Sequence, residues 1–186
     1  MTPVPVELTA RTPSALTSLL QPLRVGSRTL RNRIIVTAHA TYNIDPEHLP
    51  NDDDVAYFAE RAAGGAALVT MGTTAVHPTS PTPYGIYHNF DDRIVPRYER
   101  LSEAVHGHGG LIIPQLGHMG ARTDGEVGPV WAPSQVSHHL WASVPYAMTR
   151  DDVRTIVEAY AAAARRAVRG GMDGVELSVD GGTSAI

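Results

Sequence analysis

FAERAAGGAALVTMGTTAVHPTS, residues 58–80, holds the whole pattern in miniature. With Val55 just ahead of it, Phe58, Ala59 and Ala62 fall at i, i+3, i+4 and i+7, the single apolar stripe of a helix that buries one face. Gly64-Gly65 stops that helix. Ala66-Ala67-Leu68-Val69-Thr70-Met71 follows at once as an apolar run of strand length. A Pro-rich loop from His77 to Pro83 comes next.

The same order returns twice downstream. Ile94 to His108 reads as a helix, with Pro96 tolerable in its first turn, and Gly109-Gly110 leads into Leu111-Ile112-Ile113-Pro114-Gln115-Leu116. A long loop covers Gly117 to Met148. Thr149-Arg150-Asp151-Asp152 is a capping-box-like start, with Asp in place of Glu or Gln. Val153, Ile156, Val157, Tyr160, Ala164, Ala167 and Val168 then keep helical spacing. Gly170-Gly171 ends that helix, and Gly174-Val175-Glu176-Leu177 begins a fourth strand.

Upstream, Asn51 or Asp52 caps the helix over Asp52–Ala63, and aspartates in its first turn suit the helix dipole. His39 to Asn51 is a loop. Arg33-Ile34-Ile35-Val36-Thr37 reads as a strand buried on both faces. Leu19 to Leu30 (LLQPLRVGSRTL) reads as a hairpin turning at Gly26-Ser27. Residues 1–18, rich in Pro and Thr, read as a disordered tail with neither the basic nor the apolar region of a signal peptide.

Strand, helix, strand, helix, strand, helix, strand implies an α/β fold with parallel strands and right-handed crossovers. A doubly wound sheet and part of a TIM (β/α)8 barrel both satisfy that order. Loops of 13 to 32 residues after the strands, against two or three after the helices, favour the barrel, whose active site is built from the loops at the carboxyl ends of its strands.

Composition narrows the chemistry. The 186 residues carry 15 Lys+Arg against 19 Asp+Glu, a net charge of −4, which argues against nucleic-acid binding. Zero cysteines exclude disulfides, a thiol nucleophile and iron–sulfur ligation by this chain. No apolar stretch approaches the roughly 20 residues that span a bilayer, and a cytoplasmic location is expected. No GxGxxG follows the first strand, and no Walker A motif is present. None of the nine histidines has metal-site spacing, so no metal is expected. His138-His139 reads as a solvated loop pair, and His106 and His108 as residues at a helix C-terminus.

Polar residues at the strand ends say more: Thr37 and His39 on the first, Thr70 and Gly72 on the second, Gln115 and His118 on the third. Gln115 offers both a donor and an acceptor. It suits an alternating acceptor–donor edge such as the pyrimidine edge of a flavin, or equally a buried amide satisfied by backbone. Gly72 allows close approach of a flat ring to the backbone, although taken alone it reads more simply as a turn glycine.

The segments LLQPLRVGSRTLRNRII (19–35), TAHATY (37–42), 58–80 as quoted, EAVHGHGGLIIPQLGHMGAR (103–122), WAPS (131–134) and AAARRAVRGGMDGVEL (162–177), in that order and spacing, resemble the N-terminal half of the old yellow enzyme family. Within that family they are most similar to the dienoyl-CoA reductase and trimethylamine dehydrogenase branch. The resemblance implies the N-terminal portion, about four βα units, of an FMN-binding TIM barrel over 19–177, preceded by a β-hairpin. It implies that Thr37, Ala38, His39 and Ala40 touch the flavin, largely through backbone. It places Gly72 near the ring and Gln115 on the pyrimidine edge. Ala40 stands where relatives carry Cys, Thr or His, so that tuning group is lost.

The implied activity is FMN-dependent hydride transfer from NADH or NADPH to an activated C=C bond of a small-molecule substrate. Amine oxidation is the alternative within the same cofactor class, and a non-catalytic half-barrel or split subunit without stable flavin is the alternative outside it. Residues 178–186 depart from the family's HxxHGY-like continuation, so no catalytic residue is assigned. That departure is read as a truncation, which leaves self-association or a complementing C-terminal half as the expected partner.

Overall fold

The computed structural model describes residues 14–80, 86–123, 129–138 and 143–179. Most of the expected tail and residues 180–186 of the divergent C-terminal stretch therefore lie outside the described residues, as do His139 and the Pro-rich loop's residues 81–83. The last residues of the expected tail enter a short helix, α1 (Ser14–Leu19). Strands β1 (Leu23–Val25) and β2 (Arg28–Leu30) pair antiparallel as the expected hairpin.

Next come β3 (Ile35–Val36), α2 (Asp52–Ala63), β4 (Leu68–Ala75) and β5 (Tyr87–His88). They are followed by α3 (Val95–His106), β6 (Leu111–Gly117), β7 (Trp131–Ala132), β8 (Tyr146–Ala147), α4 (Arg150–Arg169) and β9 (Glu176–Leu177). The main sheet runs β3-β4-β6-β9, every neighbour parallel, and β5 joins β4 at Thr74 and Ala75.

Caps fix the helix starts. Asn51 accepts from the backbone of Asp53 and Asp54, while the Asp54 side chain returns the bond to the Asn51 backbone. Thr149 and Asp152 make the same reciprocal box on α4, so Asp serves in the position of Glu or Gln. At the end of α4, Gly171 takes φ +77°, and a Cβ on Gly170 would lie 2.3 Å from Cβ of Tyr98. The Gly-Gly pair thus both turns the chain and lets the helix end press on α3.

Helices α2, α3 and α4 cover one face of the sheet. Phe58, Met71, Tyr98, Leu101 and Ile112 form the main core between the sheet and the first two helices. Leu116, Ile156, Tyr160 and Ala163 form a second beneath α4. Each large apolar side chain removed from water there contributes about 1.5–3 kcal/mol. Along β6, Ile112, Pro114 and Leu116 are buried, whereas Leu111, Ile113 and Gln115 face the other way and are only half-buried. All helices on one face excludes a doubly wound sheet. This is the expected part of a TIM barrel: helices outside, with no helix among the described residues on the inner face.

Other expectations change as well. The strand foreseen over Arg33–Thr37 shortens to Ile35–Val36, because the Asn32 side chain takes the Ile34 N–H and donates to the Gly65 carbonyl. It is not buried on both faces: Ile34 and Ile35 remain 37% and 45% exposed, since no layer among the described residues faces them. The helix foreseen over Ile94–His108 begins after a 3-10 turn at Asp92–Ile94 and ends at His106, with Gly107 as its C-cap. The loop foreseen over Gly117–Met148 contains the pair β7–β8.

Candidate functional site

The carboxyl ends of β3, β4, β6 and β9 share one rim. Pro114 has no N–H to give the ladder, and beside it the register between β4 and β6 shifts between Met71 and Thr73. This bulge falls at Gly72. A Cβ there would lie 2.5 Å from the His39 carbonyl oxygen and 3.4 Å from Cα of Ala40. The missing side chain therefore admits the chain leaving β3, and residues 37–40 are laid across the bulge. Close approach is the reason for Gly72, and the group that approaches is backbone.

Beyond the bulge, Thr73 pairs with Gln115, and Gln115 pairs with Glu176. Their side chains form a polar row across the inner face. The Thr73 hydroxyl donates to Oε1 of Gln115. Nε2 of Gln115 donates to Oε1 of Glu176 over 2.7 Å. The alternative reading of Gln115, a buried amide satisfied by backbone, is not what the fold contains: its amide is half-buried and its partners are side chains.

Thr37 and Ala40 are exposed at the same rim, while Ala38 and His39 are half-buried. The His39 side chain turns away from it. Since a carbonyl only accepts, Nδ1 is the donor to the Thr37 oxygen at 2.8 Å. In the neutral ring Nε2 then accepts from the Tyr57 hydroxyl at 2.6 Å. The ring also lies against Tyr57 and Phe58 of α2. Only the backbone of His39 remains available to a ligand at the rim.

The rim loops are pinned by buried polar groups. The Gly120 N–H donates to Nδ1 of His118, so Nε2 carries the proton and donates to the Thr79 hydroxyl at 3.0 Å. The Thr79 N–H donates to Nδ1 of His77, and the Thr79 hydroxyl completes the chain at 2.8 Å. Burial holds His118 down to about 4, with nearby His77 adding to the effect, and burial also lowers His77. Both rings are therefore neutral and directional at pH 7. On the neighbouring side, Asp54 accepts from Thr41 at 2.8 Å and from Tyr87 at 2.6 Å. Burial and the Asp54 bond push the Tyr87 phenol above its ordinary value, so it stays a donor.

Of the expected site residues, Gly72 meets the backbone of His39 and Ala40, Gln115 sits one strand away opposite Thr73, and Thr37 and Ala38 follow the end of β3; Gly72 lies within β4 and not at its end, because the strand continues to Ala75. Thr73 and Glu176 were not foreseen, because the signal lies in the register between strands and not in any one segment. Thr70 is buried. His106, foreseen only as a helix-end residue, binds Asp173 through Nε2 at 2.8 Å.

The donor set fits the ring of a flavin. One N–H of the Gln115 amide has no partner among the described residues, its Oε1 lies beside it, and Thr73, its neighbour across the ladder, follows the Gly72 on which the backbone of His39 and Ala40 lies. The row Thr73–Gln115–Glu176 carries no cation, so it addresses the ring and not the phosphate of FMN.

Comparison with known proteins agrees with this fold. Residues 18–182 match the model of the NADH:flavin oxidoreductase / NADH oxidase family. The chain is 40% identical over 167 residues to a probable N-methylproline demethylase of Rhizobium meliloti. It is 34% identical over 169 residues to N,N-dimethylglycine/sarcosine dehydrogenase of Chromohalobacter salexigens. Each alignment takes in 88% of this chain and 24% of the relative. Among solved structures, morphinone reductase in complex with tetrahydroNAD superposes with a TM-score of 0.80 at 30% identity, over 86% of this chain and 48% of the other. The old yellow enzyme homologue from Zymomonas mobilis superposes at 0.77 and 29% identity, again over 86% of this chain and 48% of the other. The chain spans about a quarter of the length of these two curated relatives and about half of these two solved chains.

Proposed function

Because this chain belongs to the NADH:flavin oxidoreductase / NADH oxidase family, we propose that it forms the flavin-ring-contacting part of an FMN-dependent oxidoreductase acting on a small molecule. FMN, when bound, supplies two-electron hydride chemistry between NADH or NADPH and an activated C=C bond, of ene-reductase or dienoyl-CoA reductase type. The observation that carries this reading is the Gln115 amide, held from both sides by Thr73 and Glu176, one strand from the Gly72 bulge that admits the backbone of His39 and Ala40. Gln115 binds the pyrimidine edge, the 37–40 backbone lies against the ring, and Gly72 lets that backbone sit where it does. The pinned loops around His118 and Thr79 keep the rim in shape.

A second reading, oxidation of an N-methylated amine, is supported by the names of the relatives from Rhizobium meliloti and Chromohalobacter salexigens. The two chemistries share the cofactor and differ in the direction of hydride flow at the substrate.

Assembly is part of the proposal. Val157 and Val168 on α4 are 56% and 70% exposed, and Leu177 on the outermost strand is 53% exposed. These apolar groups support association with a second copy of this chain or with a complementing C-terminal half-barrel. No helix among the described residues is long and apolar enough to cross a membrane, and a cytoplasmic location is proposed.

The test is spectroscopic. FMN added to the purified chain should give a shifted, saturable visible band that NADH or NADPH bleaches. Recovery of the band with an enone identifies C=C reduction, and bleaching by an N-methylated amino acid identifies amine oxidation. A colourless protein that never perturbs added FMN contradicts the proposal and supports the non-catalytic alternative.

A further inference from the structure

We infer that Glu176 is a positioning residue for flavin recognition: it sets which way the Gln115 amide faces, with Thr73 as its counterpart on the opposite strand. The inference rests on the FMN reading above and adds a selection step to it.

An amide side chain has two orientations that differ only in exchanging its oxygen and nitrogen. A hydroxyl such as Thr73 accepts either, because it can donate or accept. A carboxylate is an acceptor only, so Glu176 tolerates nothing but Nε2 on its side. It stands 2.7 Å from that nitrogen. Register fixes the arrangement, because Thr73, Gln115 and Glu176 are successive partners across three parallel strands. Once Nε2 faces β9, Oε1 must face β4, where Thr73 donates to it.

The amide then shows the rim one lone pair of Oε1 and the second N–H of Nε2 in a fixed order. A flavin's pyrimidine edge presents acceptor, donor, acceptor. For a ring held in one place by the 37–40 backbone, the N3–H would meet Oε1 and the carbonyl beside it would meet Nε2–H only when the amide has this order. The flipped amide sets oxygen against oxygen and N–H against N–H. Glu176 has no cation within salt-bridge distance among the described residues. Its charge is thus left to act on Gln115 and on the ring beyond it, where a negative charge disfavours added electrons.

The experiment uses the full chain with FMN, read by quenching of flavin fluorescence and by the flavin midpoint potential, with thermal unfolding of the flavin-free protein alongside. Glu176→Gln keeps the shape but lets residue 176 accept or donate. It should weaken FMN binding about tenfold, the scale of one charge-assisted hydrogen bond, and move the potential to a more positive value. Thr73→Val should weaken binding about threefold, less because Glu176 still selects the orientation, and Thr73→Ser should restore it. The flavin-free unfolding midpoint should stay unchanged in Glu176→Gln, since Glu176 is exposed. If the wild-type chain binds FMN and Glu176→Gln binds it equally well at an unchanged potential, the inference is overturned while the function stands. If Glu176→Gln instead lowers the flavin-free midpoint by several degrees and Thr73→Val leaves affinity unchanged, Glu176 is a structural residue and the inference is likewise overturned. If the wild-type chain does not quench FMN at all, the functional reading fails and this one falls with it.

Discussion

The carbonyl oxygen of His39 occupies the place where a side chain on residue 72 would begin, 2.5 Å from the Cβ that Gly72 lacks. That contact joins the end of the first main strand to the bulge in the second, and it sets the height of residues 37–40 above the sheet. Neither partner can yield cheaply, because both are backbone. Gly72→Ala should therefore destabilise the chain by about 2 kcal/mol or more through forced backbone movement, and it should abolish FMN quenching. Denaturant midpoints and a flavin titration on the same variant check both. An unchanged midpoint would mean that the contact is slack.

His118 makes stability depend on pH. Its unfolded value is 6.5 and burial holds it to about 4 in the fold. Between those values the unfolded chain binds the extra proton, so stability is complete above pH 6.5 and falls as the pH drops towards 4. The loss approaches about 3 kcal/mol at the lower end. His88, lowered to about 4 by burial and by the stacked His48, works in the same direction. His118→Asn should flatten the dependence, so that the gap between wild type and variant narrows from pH 7 to pH 4 in thermal melts. Parallel curves would contradict the assignment.

Asp173 ties the lower end of the sheet together. Its carboxylate accepts from the Ile112 N–H at 2.9 Å and from His106 at 2.8 Å, and it pairs with Arg28 of the hairpin at 3.3 Å. Its side chain is only 4% exposed. Asp173→Asn keeps the volume but removes the charge and presents an N–H where acceptors are needed. A loss of about 3 kcal/mol is expected, measured by urea denaturation. His106→Ala should cost less, because the backbone bond to Ile112 survives.

Tyr87→Phe tests the cluster behind the rim. It removes the donor 2.6 Å from the Asp54 carboxylate and leaves Thr41 and the Asn51 N–H in place. A cost of about 1–3 kcal/mol is expected for a buried carboxylate that loses one partner. Thermal unfolding gives the number, and a neutral result would show that Thr41 suffices.

The helices were legible because their signals are local. Asn51, Thr149, the three Gly-Gly pairs and the apolar spacing of Val153 to Val168 each act within a turn or two of chain. The placement of the candidate site was legible in outline for a related reason: parallel strands collect their carboxyl ends, so the chain leaving β3, Gly72 and Gln115 fall on neighbouring strands of one sheet. What escaped depends on contacts distant in sequence. Arg31 donates to the carbonyls of His108 and Ala66, on two different helix-to-strand turns, and nothing beside Arg31 announces either. Glu176 matters only because β9 pairs with β6 in one register. The exposure of Ile35 and Ile34 escaped because an apolar run states that a strand can be covered on both faces, not that a layer is there to cover it.

The most direct measurement is an amide NMR spectrum of the chain recorded with and without FMN. The side-chain NH2 pair of Gln115 and the backbone amides of residues 37–40 should shift together and saturate at one FMN per chain. Shifts confined to other surfaces, or a spectrum that FMN leaves unchanged, would contradict the flavin reading.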